Sequence, residues 1–197
     1  MLTLNNPEYF DIDQLKQSNM WPFTFLPAYG MIPYINRMRG DIVGIEIGVL
    51  KGETSYVLLD SCPNIKKLYG IDRYLPYKDI DLDRTAEDME NYENIAKKNL
   101  ESFSDRFEFV KADSRDISDK FENESVDFIL IDSEHTEENL MSELSLYYPK
   151  LKKAGIMFGH DSNIKVVSDT VKKFKSENKI RVPLQYSKNF IWFWIKS

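Results

Sequence analysis

A chain of 197 residues with 42% hydrophobic and 13% aromatic residues carries enough apolar material for one substantial core and is read as a single domain. Its 26 basic against 32 acidic residues give a net charge of −6 with no dense Lys/Arg tract, which argues against nucleic acid as a partner. One cysteine, Cys62, rules out an internal disulfide framework and a thiolate zinc cluster and fits a reducing compartment.

The opening MLTLNNPEYFDIDQLK has no basic segment followed by an apolar one, and no stretch approaches the ~18 apolar residues of a membrane span. A soluble cytoplasmic protein without a membrane partner is expected. Residues 1–40 include NMWPFTFLPAYGMIPYINRM, whose aromatics and prolines suit either a cap over a ligand site or packing against the core. Further on, DIVGIEIG, KKLYGID, RFEFVKAD, VDFILID and AGIMFGHD each have the apolar run of a strand buried on both faces. Between them Glu53 to Asp60, Thr85 to Phe103 and Glu137 to Leu151 read as helices. Val166 to Glu177 follows the fifth strand, with Val167, Val171 and Phe174 on one face. The long polar stretch RYLPYKDIDLDRTAED, with Tyr74 and Tyr77, reads as a lid. In the tail, IRVPLQYSKNFIWFWIKS offers two strand-like runs joined by SKN, an antiparallel hairpin. The expected fold class is therefore α/β, a Rossmann-like doubly wound sheet of five parallel strands plus a C-terminal antiparallel hairpin, in one domain over residues 1–197.

Ligands of open α/β sheets sit outside the carboxyl ends of the strands. Those ends carry Glu46-Ile47-Gly48, Asp72, Asp113, Asp132 and Asp161. Each Asp alone could be a turn or helix-cap residue; five acidic ends in succession point to a site. In VGIEIGVLKGETS the glycines Gly44, Gly48 and Gly52 fall four apart, which is not the G-x-G-x-x-G of a dinucleotide site. Lys51 precedes Gly52, so the stretch is not a P-loop either. A cationic ligand with an amine and a ribose suits the acids better: Glu46 beside the positive group, Gly48 allowing close approach, Asp72 accepting from vicinal hydroxyls. S-adenosylmethionine is such a ligand.

GIEIGVLKGETS, LYGIDRY, FVKADSRD, VDFILIDSEHTEENL and LKKAGIMFGHD together resemble the successive motifs of class I S-adenosylmethionine-dependent methyltransferases, especially family 24 with its macrocin-type sugar O-methyltransferases. The resemblance spans about Ile42 to Asp161. It implies S-adenosyl-L-methionine as cofactor, bound by Glu46, Gly48 and Gly52, by Thr54 and Ser55 at the following helix start, by Asp72 on the ribose, and by Asp113 and Ser114 at the adenine. Thr54 and Ser55 could instead only cap the helix, and Asp72 could pair with Arg73. By similarity to metal-dependent relatives such as catechol O-methyltransferase, Asp132 and Asp161 are expected to hold Mg²⁺, with Ser162 where a further ligand would stand. His135, at the offset of those enzymes' catalytic lysine, is the expected general base; His160 competes for that role. The implied partner is a small-molecule acceptor, a sugar or glycosylated metabolite, and the sequence leaves a homo-oligomer open. A cephalosporin-hydroxylase-like enzyme, a nucleotide-binding oxidoreductase and a non-catalytic nucleotide-binding module are the alternatives.

Overall fold

Runs rich in β-branched and aromatic residues form the parallel strands of the computed structural model, which describes residues 26–78 and 83–197. In chain order the elements are α1 (Pro27–Ile35), β1 (Ile42–Ile47), α2 (Glu53–Ser61), β2 (Ile65–Asp72), the short pair β3 (Tyr77–Lys78) and β4 (Asp83–Arg84), α3 (Ala86–Leu100), β5 (Phe107–Lys111), the single turn α4 (Ser114–Ile117), β6 (Val126–Ile131), α5 (Glu137–Tyr147), β7 (Leu151–Gly159), α6 (Lys165–Glu177), β8 (Gln185–Tyr186) and β9 (Trp192–Ile195). One seven-stranded sheet runs in the order β5-β2-β1-β6-β7-β9-β8. β5, β2, β1, β6 and β7 are mutually parallel, while β9 is antiparallel to both β7 and β8. The chain order reverses between β1 and β6, and at such a switch point the loops after the strands diverge and open a crevice.

Alternation within each strand sends side chains to two separate apolar layers. On one face, Phe128, Leu130, Phe158 and Phe193 meet α1, α2 and α3 through Met31, Leu58, Tyr92 and Ala96. On the other, Ile45, Ile129, Ile131, Met157 and Trp194 meet α5 and α6 through Leu144, Tyr147, Val171 and Phe174. The expected apolar face of the last helix, Val167, Val171 and Phe174, is the face that is buried. Removing the Phe174 ring would leave a cavity costing about 3–5 kcal/mol.

Local chemistry sets the helix starts. Thr85 caps α3 with a reciprocal capping box to Asp88, and Thr136 caps α5 by accepting from the Asn139 N–H. The long helices expected to Phe103 and Leu151 finish in tighter turns at Glu101–Phe103 and Tyr148–Lys150, where Pro149 interrupts the second. The first hairpin strand shrinks to Gln185–Tyr186, because Pro183 lacks the N–H a longer ladder needs. The link is longer than SKN, with Asn189 and Phe190 both at positive φ.

Of the expected N-terminal cap, residues 1–25 lie outside the described residues. Its described part, α1, buries Ala28, Met31 and Ile35 in the core, while Leu26 and Pro27 reach the cleft described below. Asn189 in the hairpin link fastens its start by donating to the Leu26 carbonyl at 2.7 Å. Among the described residues no helix is long and apolar enough to cross a membrane.

Candidate active site

A cleft of about 420 Å³ opens at the carboxyl ends of β1, β2, β5, β6 and β7. At its floor lies Glu46, 1% exposed, whose Oε2 accepts from the Ser55 hydroxyl. Burial, and then the nearby acids Asp132, Glu53 and Asp72, push this carboxyl from its ordinary 4.5 up to about 8, against the lowering bond from Ser55. That shift favours the protonated carboxyl near neutral pH. Ser55 is spent on that bond and does not line the cleft, whereas Thr54 and Glu53 do.

The glycines of this stretch serve the backbone as much as any ligand. Gly48 has φ +92°, and a Cβ there would stand 2.0 Å from the Asp132 carbonyl oxygen. Its smallness therefore lets the ends of β1 and β6 approach; a branched side chain would strike protein before it filled ligand space. Gly52, at φ +78° ahead of α2, is off the cleft wall, and a Cβ there would meet Leu100 of α3 at 2.8 Å. It is a helix-packing glycine in this structure.

Asp72 closes β2 and organises the loop after β1. Its Oδ2 accepts from the backbone N–H groups of Val49 and Leu50, each at 3.0 Å, and its Oδ1 accepts from the Tyr74 N–H at 2.8 Å. Tyr74, expected in a lid, is instead buried and donates through Oη to the Leu50 carbonyl at 2.9 Å. The alternative pairing of Asp72 with Arg73 is not made: Arg73 reaches Glu134, and more distantly Asp113 at 3.7 Å. Asp113 caps α4 and holds Arg115 through both carboxylate oxygens; those bonds, outweighing burial, draw its carboxyl down to about 2. It is at once a cap and a wall of the cleft.

Beside it, Ser114 donates to Oε1 of Glu143 at 2.7 Å and Ser133 donates to Oε2 at 2.5 Å, while Asn139 donates to Ser133 at 3.1 Å. Burial raises the Glu143 carboxyl and these donors oppose it. The sequence reading missed Glu143 and Asn139. The available signal was a polar pair spaced i, i+4 on the same buried face of α5 as Leu140, Leu144 and Tyr147.

The far end of the cleft gathers Asp132, His135 and His160. His135 Nε2 lies 2.6 Å from Asp161 Oδ2, and His160 Nδ1 stands 3.2 Å from Asp132 Oδ1 and 3.1 Å from Asp161 Oδ2. Burial alone would lower the His160 imidazole; the two carboxylates override it and raise it to about 10. Burial alone would raise Asp161, and His135 and His160 instead hold it well below the usual carboxylate range. Ligand atoms of Asp132, His135 and Asp161 fall within 4.8 Å of one another, so the donor set fits a divalent cation. Carboxylate oxygens suit Mg²⁺, and the imidazole extends the choice to ions such as Mn²⁺. Ser162 lines neither this cleft nor the small cavity behind it, and its N–H is held by the Phe190 carbonyl.

A family model for a methyltransferase domain matches residues 45–162. No curated protein matches by sequence. Among solved structures, the O-methyltransferase NovP is 16% identical, covering 86% of this chain and 76% of its own, with a TM-score of 0.62. An S-adenosylmethionine-dependent O-methyltransferase from Thermotoga maritima is 16% identical, covering 94% and 69%, with a TM-score of 0.61. A spermidine synthase is 19% identical, covering 89% and 61%, with a TM-score of 0.59. At such identities these likenesses speak to the fold.

Proposed function

The chain belongs to the methyltransferase family that this domain model defines, a class I fold using S-adenosylmethionine, and from that premise we propose that it methylates a hydroxyl of a small polar acceptor such as a sugar or glycosylated metabolite. The observation that carries the reading is the single cleft that joins the acids of β1 and β2 to the Asp and His cluster after β6 and β7. Bound S-adenosylmethionine supplies an electrophilic methyl group. Glu46 would face its ammonium, Asp72 would accept from the ribose hydroxyls, and Asp113 with Ser114 would border the adenine. Gly48, Gly52 and Ser55 act behind these contacts, by letting backbones approach and by holding Glu46.

At the far end Asp132 and Asp161 would hold a divalent cation, Mg²⁺ or an ion that also accepts nitrogen, whose charge would lower the pKa of the acceptor hydroxyl. His135 takes the hydroxyl proton. The carboxylate of Asp161 can only accept, so it keeps the proton on Nε2 of His135 and makes Nδ1 the atom that receives another. Asp161 also orients the ring. A second reading is favoured by the close grouping of Asp132, His135 and Asp161, in which His135 replaces Ser162 as the third ligand and the proton goes elsewhere.

The test is transfer of labelled methyl from S-adenosylmethionine to a panel of glycosides and simple alcohols, with and without EDTA. Label in a stable ether, lost with EDTA, is expected. Transfer confined to amines would contradict the hydroxyl assignment, and full transfer in EDTA would contradict the metal.

A further inference from the structure

Asp161 follows β7 with φ +57°, in the left-handed region that a residue with a Cβ enters at a cost. Two hydrogen bonds hold it there. The His160 carbonyl accepts from the Trp192 indole N–H at 2.9 Å, and the Ser162 N–H donates to the Phe190 carbonyl at 2.9 Å. The His160 carbonyl belongs to the peptide plane before Asp161 and the Ser162 N–H to the plane after it, so together the two bonds fix the rotation between those planes. Both partners come from one part of the chain, β9 and the link leading into it. So held, the Asp161 carboxylate lies 2.6 Å from Nε2 of His135 and 3.1 Å from Nδ1 of His160.

The seat of Trp192 is built as closely. It pairs with Gly159, the last residue of β7, and a Cβ on Gly159 would stand 1.9 Å from Cζ2 of the indole. Only glycine leaves the ring lying across that strand end. Trp194 stacks against it at 5.5 Å with an interplanar angle of 15°. Trp192 is 1% exposed and also walls the small cavity behind Asp132, His135 and Asp161. A buried indole needs an acceptor for its N–H, whereas a Phe would fill most of the same space without needing one. The acceptor taken here is the carbonyl next to Asp161.

We propose that Trp192 is a positioning residue for the reaction: its indole N–H sets the turn at Asp161, and through that turn the carboxylate that the cation and His135 share. The proposal rests on the reading of Asp132 and Asp161 as a cation site. Trp192 acts through the backbone beside Asp161, so its loss should loosen the cation while the cofactor end of the cleft, formed at β1 and β2, is untouched.

The test compares wild type, Trp192→Phe and Gly159→Ala in three measurements: Mn²⁺ affinity by electron paramagnetic resonance, S-adenosylhomocysteine affinity by calorimetry, and thermal unfolding. Trp192→Phe removes the N–H and Gly159→Ala unseats the ring; each should weaken Mn²⁺ by about 10–100-fold, the scale of partners that orient metal ligands, and leave S-adenosylhomocysteine unchanged. Unchanged Mn²⁺ affinity in a folded Trp192→Phe protein would overturn the proposal and leave the cation site standing. An equal loss of both ligands would also overturn it, by marking a general packing role. Wild type that binds no Mn²⁺ would overturn the cation site and the proposal with it. Where neither variant folds, the wild-type indole resonance decides: Mg²⁺ should shift the Trp192 N–H proton, and an unmoved resonance would overturn the assignment.

Discussion

Replacing Glu46 by Gln removes the one buried carboxyl at the floor of the cleft whose charge state the ligand should change. Its folded pKa of about 8 lies above its ordinary 4.5, so the folded state holds the proton more tightly than the unfolded chain. No penalty exists below pH 4.5; it grows as pH rises, because the unfolded carboxyl ionises first, and levels off above about pH 8. At about 1.4 kcal/mol per pH unit the ceiling is on the order of 3 kcal/mol at pH 7 and 5 kcal/mol at pH 8 and above. Gln keeps the oxygen that accepts from Ser55 and cannot ionise, so the variant should gain stability over wild type as pH is raised from 5 to 8. Denaturant unfolding at those two pH values measures this. Ligand binding reports the same carboxyl from the other side: a nearby ammonium favours ionised Glu46, so S-adenosylhomocysteine should release roughly nine-tenths of a proton at pH 7. Calorimetry in two buffers of different ionisation enthalpy reads that release, and Glu46→Gln should abolish it while weakening affinity. A stability difference independent of pH, together with unchanged proton release, would refute the argument.

Asp72→Asn should weaken S-adenosylhomocysteine by about 1–3 kcal/mol, since it removes the charge that orders the Val49, Leu50 and Tyr74 N–H groups as well as the ribose acceptor; unchanged affinity in a folded protein would take Asp72 out of the site. Gly48→Ala should lower Tm even without ligand, because its Cβ meets the Asp132 carbonyl and the residue has positive φ, and a normal Tm with lost binding would restore the simpler ligand-space explanation. Asp132→Asn and Asp161→Asn should each weaken Mn²⁺ or Mg²⁺ binding at least tenfold, roughly the scale seen at metal sites, while S-adenosylhomocysteine still binds. His135→Gln should keep S-adenosylhomocysteine and lose turnover by ~10²–10⁴-fold; retained turnover would move the base to another group.

The fold was legible because its signals are local. Short β-rich runs separated by amphipathic stretches determine both the parallel sheet and the faces its helices bury, and Val167, Val171 and Phe174 needed no neighbour to be recognised. The acidic strand ends were legible for the same reason, and five of them now surround two adjoining cavities. What sequence could not show is which chain element each residue meets across space. Gly48 reads as room for a ligand, yet the atom nearest its missing side chain belongs to Asp132, 84 positions away along the sequence. Ser162 has the expected spacing, but the turn at Asp161, with φ +57°, leads Ser162 to the hairpin while His160 faces both carboxylates. Trp192 reads as an ordinary apolar strand residue, and only the fold joins its indole to the His160 carbonyl.

The central claim is that the cleft binds S-adenosylmethionine. Titration of the purified chain with S-adenosylhomocysteine and, separately, with NAD distinguishes the two nucleotide chemistries that this fold accommodates. One molecule of S-adenosylhomocysteine should bind per chain, with NAD giving no saturable heat, because on the proposed reading Glu46 and Asp72 would meet an ammonium and a ribose, while the loop lacks the glycines a pyrophosphate needs. Saturable NAD binding, with none for S-adenosylhomocysteine, would contradict it.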